Sequence, residues 1–263
     1  MTSAPQTTTG YAIEMHGVSV GSMRDANSLA VENVNWSVKP GDYWVITGLQ
    51  GAGKTDFLMF TGGLSAPTAG TYYFLGEEMP IFEDHRLPDR LKLGFVFENG
   101  QLFNQLTVSE NISLPLRYHK NLSVADAADE TQKLLELTEL APWADSTPGT
   151  IARNWQRRVG LARALILRPE VLLLDNPLAG LDLRHRAWWL NLLEQLWRGQ
   201  TSLTDRPTTL VITTNDLRLW RSGTRQFAVL RDKQFSVLGN WEQVETTSDE
   251  LVRELRASAP ESE

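Results

Sequence analysis

The sequence predicts an α/β protein: a mostly parallel sheet carrying a phosphate-binding loop, with an antiparallel β subdomain and an inserted helical subdomain. Three observations carry this prediction. Residues 48 to 55 read GLQGAGKT, a complete G-x-x-x-x-G-K-T loop with Val45, Ile46 and Thr47 as a buried strand before it. VLLLD at 171 to 175 is a continuous apolar run closed by a carboxylate, the pattern of a strand buried on both faces of a parallel sheet. Strand-like and helix-like segments alternate around the loop, the order that lays helices on both faces of an open sheet.

Taken in chain order, residues 1–10 are rich in Thr, Ser, Pro and Gln and read as a disordered tail, as do residues 258–263. Residues 11–257 read as one domain, its helical subdomain at about 99–155. YAIEMHGVSV and LAVENVNWSV are β-prone runs, and KPGD at 39 to 42 is a turn, so antiparallel strands are expected from Tyr11 to Val38. Further strands are expected at 70–75 and at LGFVF, 93–97. SVADAADETQKLLELTEL, 123–140, opens with a Ser-x-x-Asp cap and continues with helix formers at apolar spacing. VGLARALIL at 159–167 continues the helical pattern, and LVITT at 210–214 is another buried strand.

Composition narrows the function. A net charge of −7 opposes a general nucleic-acid binder. The absence of cysteine removes disulfides and thiolate metal sites, and fits a reducing compartment. No apolar run approaches a membrane span, and MTSAPQTTTG lacks the basic and apolar regions of a signal peptide, so membrane contact is expected only through a partner. His16, His85, His119 and His185 share no metal-ligand spacing.

The loop residues Gly48, Leu49, Gln50, Gly51, Ala52, Gly53, Lys54 and Thr55 are the candidate phosphate site. Glycines let backbone N–H groups wrap a β-phosphate, and a helix starting near Gly53 points its positive end at it. Lys54 is expected to reach the β- and γ-phosphates. The Thr55 hydroxyl and the Asp175 carboxylate are hard oxygen donors suited to Mg²⁺.

The order of phosphate loop, FVFENGQLF at 95–103, helical insertion, IARNWQRRVGLARAL at 151–165, VLLLDNPLAGLD at 171–182 and VITTND at 211–216 resembles the ATP-binding subunits of ABC transporters. The resemblance runs from about Ile13 to Arg256. It implies a P-loop nucleotide hydrolase sheet, ATP with Mg²⁺, and two such subunits sandwiching two ATP molecules as a homo- or heterodimer. It also implies a membrane permease subunit as partner, no nucleic acid, and a peripheral place on the cytoplasmic face of the inner (plasma) membrane.

Four motifs depart from that family's pattern, and all bear on the γ-phosphate. The sensing glutamine is Glu98, a carboxylate with no amide donor. The signature LSGGQ becomes Ile151, Ala152, Arg153, Asn154 and Trp155, losing the glycines and the serine hydroxyl. The glutamate after Asp175 is Asn176, whose amide cannot accept a proton. The switch histidine is Asn215, which cannot carry charge. Losing one positioned base typically costs 10² to 10⁴ in rate, so hydrolysis is expected roughly 10²-fold or more below an intact relative. The resemblance also places an adenine-stacking aromatic near Gly21 to Met23, where the sequence has only GSM.

Phe103, Leu106, Val108, Leu114, Leu116 and Tyr118 supply apolar side chains for permease docking or for the subdomain's own core. The F-x-x-G-x-LF form, ENISLPLR-x-H, and TTSDELVRELRA at 246–257 resemble the Mla/Mce group, which implies lipid as cargo. Trp188, Trp189 and Trp197 have helical spacing suited to packing. Arg157 and Arg158, near a helix start, call for a tertiary or partner anion. A nucleotide-binding clamp that regulates a membrane complex without hydrolysis is the alternative function.

Overall fold

The computed structural model describes residues 10–25, 27–80, 84–221 and 224–257. The expected tails lie outside them, apart from Gly10. The chain runs β1 (Ile13–Gly21), β2 (Leu29–Val38), β3 (Tyr43–Thr47), α1 (Lys54–Thr61), β4 (Ala69–Phe74), β5 (Glu77–Glu78) and α2 (Leu87–Arg90). It continues with β6 (Leu93–Val96), α3 (Val108–His119), α4 (Ala128–Leu137), α5 (Arg153–Leu165), β7 (Val171–Asp175) and α6 (Leu183–Arg198). The last elements are β8 (Thr209–Thr214), β9 (Gln226–Arg231), β10 (Gln234–Gly239), α7 (Trp241–Thr246) and α8 (Glu250–Arg256). Two compact units result, one running to Arg90 and resuming at Thr209, the other spanning Leu91–Thr208.

In the first unit the strand order is β5-β4-β1-β2-β10-β9-β3-β8. β1 pairs antiparallel with β2, as expected over Tyr11–Val38, and also with β4, while β3 pairs parallel with both β8 and β9. Burial alternates along the second half of β2, but every residue of β3 and β8 is buried. That contrast is the physical difference between a strand with one wet face and a strand covered on both. The KPGD turn closes through Asp42 N–H to Lys39 O (3.0 Å) and Lys39 N–H to the Asp42 carboxylate (2.8 Å).

Helix α1 is held by aromatic packing. Phe57 lies 5.7 Å from Trp36 and 5.1 Å from Phe235, and Phe60 lies 5.4 Å from Tyr72. The Tyr72 hydroxyl donates to Thr61 O at 2.6 Å, and burial pushes its phenol well above the usual range. These contacts fix where the helix start points. At the other end, α8 buries Leu251 and Val252 and accepts Leu217 N–H at Leu255 O, so this tail docks on its own unit.

In the second unit β6 and β7 pair parallel, from Leu93–Val171 to Val96–Leu174. The helix expected over 123–140 is shorter, because Ser123 and Asp126 use their reciprocal hydrogen bonds (3.1 and 3.3 Å) on a preceding turn, and α4 begins only at Ala128. The pattern at 159–167 is the back of a longer helix, α5. Helix α3 is signalled by the Thr107-x-x-Glu110 capping box, whose two bonds measure 3.1 and 2.8 Å.

A glycine contact joins the Glu98 segment to α5. Gly100 has φ +73°, and a Cβ there falls 2.7 Å from Gln156 O; a Cβ on Gly160 falls 2.9 Å from Gly100 Cα. Arg163 also donates to Gly100 O and Gln101 O, both at 2.9 Å. Gly100→Ala is therefore expected to lower unfolding free energy by about 1–3 kcal/mol, from positive φ and backbone collision. Urea denaturation checks this; an unchanged midpoint contradicts it.

Candidate functional site

The phosphate-binding loop follows β3 directly. Gly48, Gly51 and Gly53 have φ of +155°, +84° and +90°. A Cβ on Gly48 falls 2.3 Å from Leu230 O, and one on Gly53 falls 2.9 Å from Ala30 O, so sterics and φ both require glycine there. Gly53 caps α1 in the left-handed conformation with no side-chain cap bond, which leaves the helix's first N–H groups facing the loop. The Lys54 ammonium is buried and donates to Gly48 O (2.7 Å) and Leu49 O (2.8 Å), so it spans the concave side of the loop. Leu49, Gln50, Gly51 and Thr55 are exposed, with Ala52 and Gly53 half-buried. This is a cationic anion cradle.

Asp175 ends β7 and is 5 % exposed. Among the described residues no three His, Asp or Glu side chains group as a metal cage. Thr55 and Asp175 each carry a hard oxygen donor, the kind of ligand Mg²⁺ takes one or two of beside substrate phosphates and water. Such an ion would neutralise charge on bound phosphates.

Asn176 follows with φ +45°, and its amide nitrogen donates to the Glu98 carboxylate at 3.3 Å. The structure thus brings together two of the candidate site residues. Arg157, half-buried, donates to Ala179 O. Burial draws its guanidinium below the usual range, while the Glu98 charge opposes that shift and Arg153 adds to it. Asn215 is exposed just beyond β8, beside Asp216, which pairs with Arg218 (Nε–Oδ1 2.8 Å) and raises that guanidinium.

The 151–155 segment is closed by side chains. Ala152 is the α5 N-cap and offers no side-chain cap bond. Asn154 accepts the Trp155 N–H at 3.0 Å and donates its amide to His185 Nε2 at 2.7 Å. His185 Nδ1 lies 2.9 Å from Asp182, so the neutral tautomer with the proton on Nδ1 satisfies both neighbours. The hydrogen bonds from the His185 backbone N–H and ring hold the Asp182 carboxyl below its usual range. Trp155 stacks against Trp143 at 4.1 Å and lies edge-on to His185 at 5.3 Å. Ile151 is buried and Arg153 exposed.

Sequence reasoning left open which anion pairs with Arg158. The structure answers with Glu139 (2.7 Å), and with the rings of Trp155 (4.4 Å) and Trp188 (3.6 Å) on the guanidinium. Trp189 is fully buried; Trp197 is half-buried. Of the six candidate docking residues, Val108 and Leu116 are core, Leu106 and Leu114 half-buried, and Phe103 and Tyr118 exposed. Met23 is exposed, its N–H 3.4 Å from Asp56 Oδ1, in the Gly21–Met23 stretch that carries no aromatic.

The fold and cradle define a nucleotide-binding α/β protein of the phosphate-loop class. The ABC transporter family model matches residues 31–179, more than half of the sequence, and the chain belongs to that family. It is 32 % identical over 215 residues to the spermidine/putrescine import ATP-binding protein PotA of Trichodesmium erythraeum, covering 82 % of this chain and 54 % of that one. It is 35 % identical over 193 residues to the macrolide export ATP-binding/permease protein MacB of Campylobacter jejuni, covering 72 % and 28 %. The chain thus spans about half the length of PotA and less of MacB. Among solved structures, the ATP-binding cassette MJ0796, a dimer in a post-hydrolysis state bound to ADP and Pi, superposes with TM-score 0.74 at 29 % identity, covering 84 % of this chain and 95 % of that one. Among the described residues no helix is long and apolar enough to cross a membrane.

Proposed function

We propose that this chain is an ABC transporter subunit that captures MgATP and couples dimer closure to a membrane permease while hydrolysing ATP slowly. The observation that carries the reading is the contrast between the complete cradle at Gly48–Thr55 and the replaced chemistry at Glu98, Ile151–Trp155, Asn176 and Asn215. Phosphate contacts and the Mg²⁺ donors Thr55 and Asp175 are kept, so binding survives. The side chains that sense and cleave the γ-phosphate are exchanged, so turnover falls. A second copy of this chain or a related subunit supplies the other half of the sandwich, as the dimeric MJ0796 does for itself. The exposed Phe103 and Tyr118 face a permease at the cytoplasmic membrane surface. The cargo within this reading is lipid, carried by the likeness of residues 97–119 and 246–257 to the Mla/Mce group; the relatives' names instead specify polyamines and macrolides.

Sedimentation velocity tests the closure. The expected result is a dimer with MgATP that persists for many minutes and reverts to monomer with ADP; a species unchanged by MgATP contradicts it. Lipid movement by the complex reconstituted in liposomes tests the cargo separately.

A further inference from the structure

We infer that Glu98 and Asn176 are a reciprocal exchange of carboxylate and amide, and that Glu98 is the catalytic base for the slow hydrolysis proposed above. This inference rests on the MgATP reading of the preceding section. Taken singly, the two substitutions look like independent losses: a sensing amide became a carboxylate, and a base carboxylate became an amide. The structure places them against each other, with the Asn176 amide nitrogen donating to Glu98 Oε1 at 3.3 Å. The pair therefore still holds one carboxylate and one amide, with the two groups traded between strand ends β6 and β7.

Backbone geometry supports a defined position for the displaced carboxylate. Asn176 is held in the left-handed region at φ +45°, with its carbonyl accepting Ala179 N–H at 3.2 Å. The Glu98 segment is fixed from the other side by the Gly100–Gly160 contact and the two Arg163 hydrogen bonds. The Arg157 guanidinium adds a positive charge that interacts with Glu98. Asn176 is then a positioning residue, since its amide can only donate to and orient the base.

The chemistry balances on these groups. A water oxygen bonds to the γ-phosphorus, and the bond from that phosphorus to the β–γ bridging oxygen breaks with its electron pair left on ADP. The water's proton passes to a Glu98 oxygen and from there to the released phosphate. No other co-reactant is needed.

The double-mutant cycle of Glu98→Gln, Asn176→Glu and their combination tests this on the full-length protein. Glu98→Gln is expected to lower single-turnover hydrolysis by about 10²-fold while MgATP affinity stays within a few-fold. Asn176→Glu alone sets two carboxylates against each other, and is expected to lower the thermal midpoint of the nucleotide-free protein. The combination restores one amide and one carboxylate, and is expected to recover the midpoint and to hydrolyse at least about tenfold faster than wild type. Hydrolysis unchanged by Glu98→Gln overturns the base assignment. So does wild type that binds MgATP with no detectable turnover, or a Glu98→Gln loss confined to Mg²⁺-dependent affinity, the mark of a metal ligand. Additive midpoints across the cycle overturn the exchange. Wild type that fails to bind MgATP instead overturns the function proposed above.

Discussion

Lys54→Ala lowers ATP affinity by about 10²-fold or more. The ammonium is buried beneath the loop and donates to the carbonyls of Gly48 and Leu49, along the concave edge proposed to receive the β- and γ-phosphates. Truncating one partner of a buried hydrogen-bonded charge pair costs about 2–5 kcal/mol, and each 1.4 kcal/mol is tenfold in affinity. Fold loss does not confound the result, because alanine is the better helix former at the first residue of α1 and the φ-restricted glycines are untouched. Lys54→Arg keeps the charge but replaces a compact ammonium with a planar fork, and regains only part of the affinity. Calorimetric titration with MgATP reads both variants. Affinity within threefold of wild type for Lys54→Ala shows that the loop does not hold the phosphates in this way.

Arg158→Ala costs about 3 kcal/mol of stability. The guanidinium is about 1 % exposed, lies on the faces of Trp155 and Trp188, and bonds Glu139 Oε2 at 2.7 Å and Thr138 O at 3.2 Å. Burial draws its pKa down, and the hydrogen bond and charge of Glu139 act against that shift. The Glu139 side chain is half exposed, so the ion pair itself contributes on the order of 1 kcal/mol or less. Two desolvated cation–π contacts, at about 1–2 kcal/mol each, are the larger part, and the void left by truncation adds to the loss. Arg158→Lys recovers less than half, because an ammonium cannot stack flat between two indoles. Urea unfolding monitored by tryptophan fluorescence measures the change. A loss below about 1 kcal/mol contradicts the stacked arrangement. The cluster also ties the segment before α5 to α6, so both variants are expected to disturb residues 151–155 at the start of α5.

The sequence shows the parts of the fold whose signal is local. Val45–Thr47, VLLLD and LVITT are apolar runs that end in Thr or Asp and are buried at every position, the pattern of strands covered on both faces. The glycines of GLQGAGKT announce the cradle because no other residue fits φ +90° beside the Ala30 carbonyl. The site was legible one residue at a time, but not as pairs. Nothing in the spacing of Glu98 and Asn176, 78 positions apart, shows that their side chains meet. The same holds for Arg158, whose partners Glu139, Trp155 and Trp188 come from three segments. The helix expected from Ser123 starts later, at Ala128, for a local reason: a capping pair can close a turn without starting a helix.

MgATP affinity and single-turnover hydrolysis, measured on the same preparation at saturating protein, test most directly whether capture has been kept while consumption has been slowed. Saturable binding that requires Lys54, with a cleavage rate about 10²-fold or more below that of an ABC relative with intact motifs under the same conditions, is the expected result. Cleavage within tenfold of that relative contradicts it.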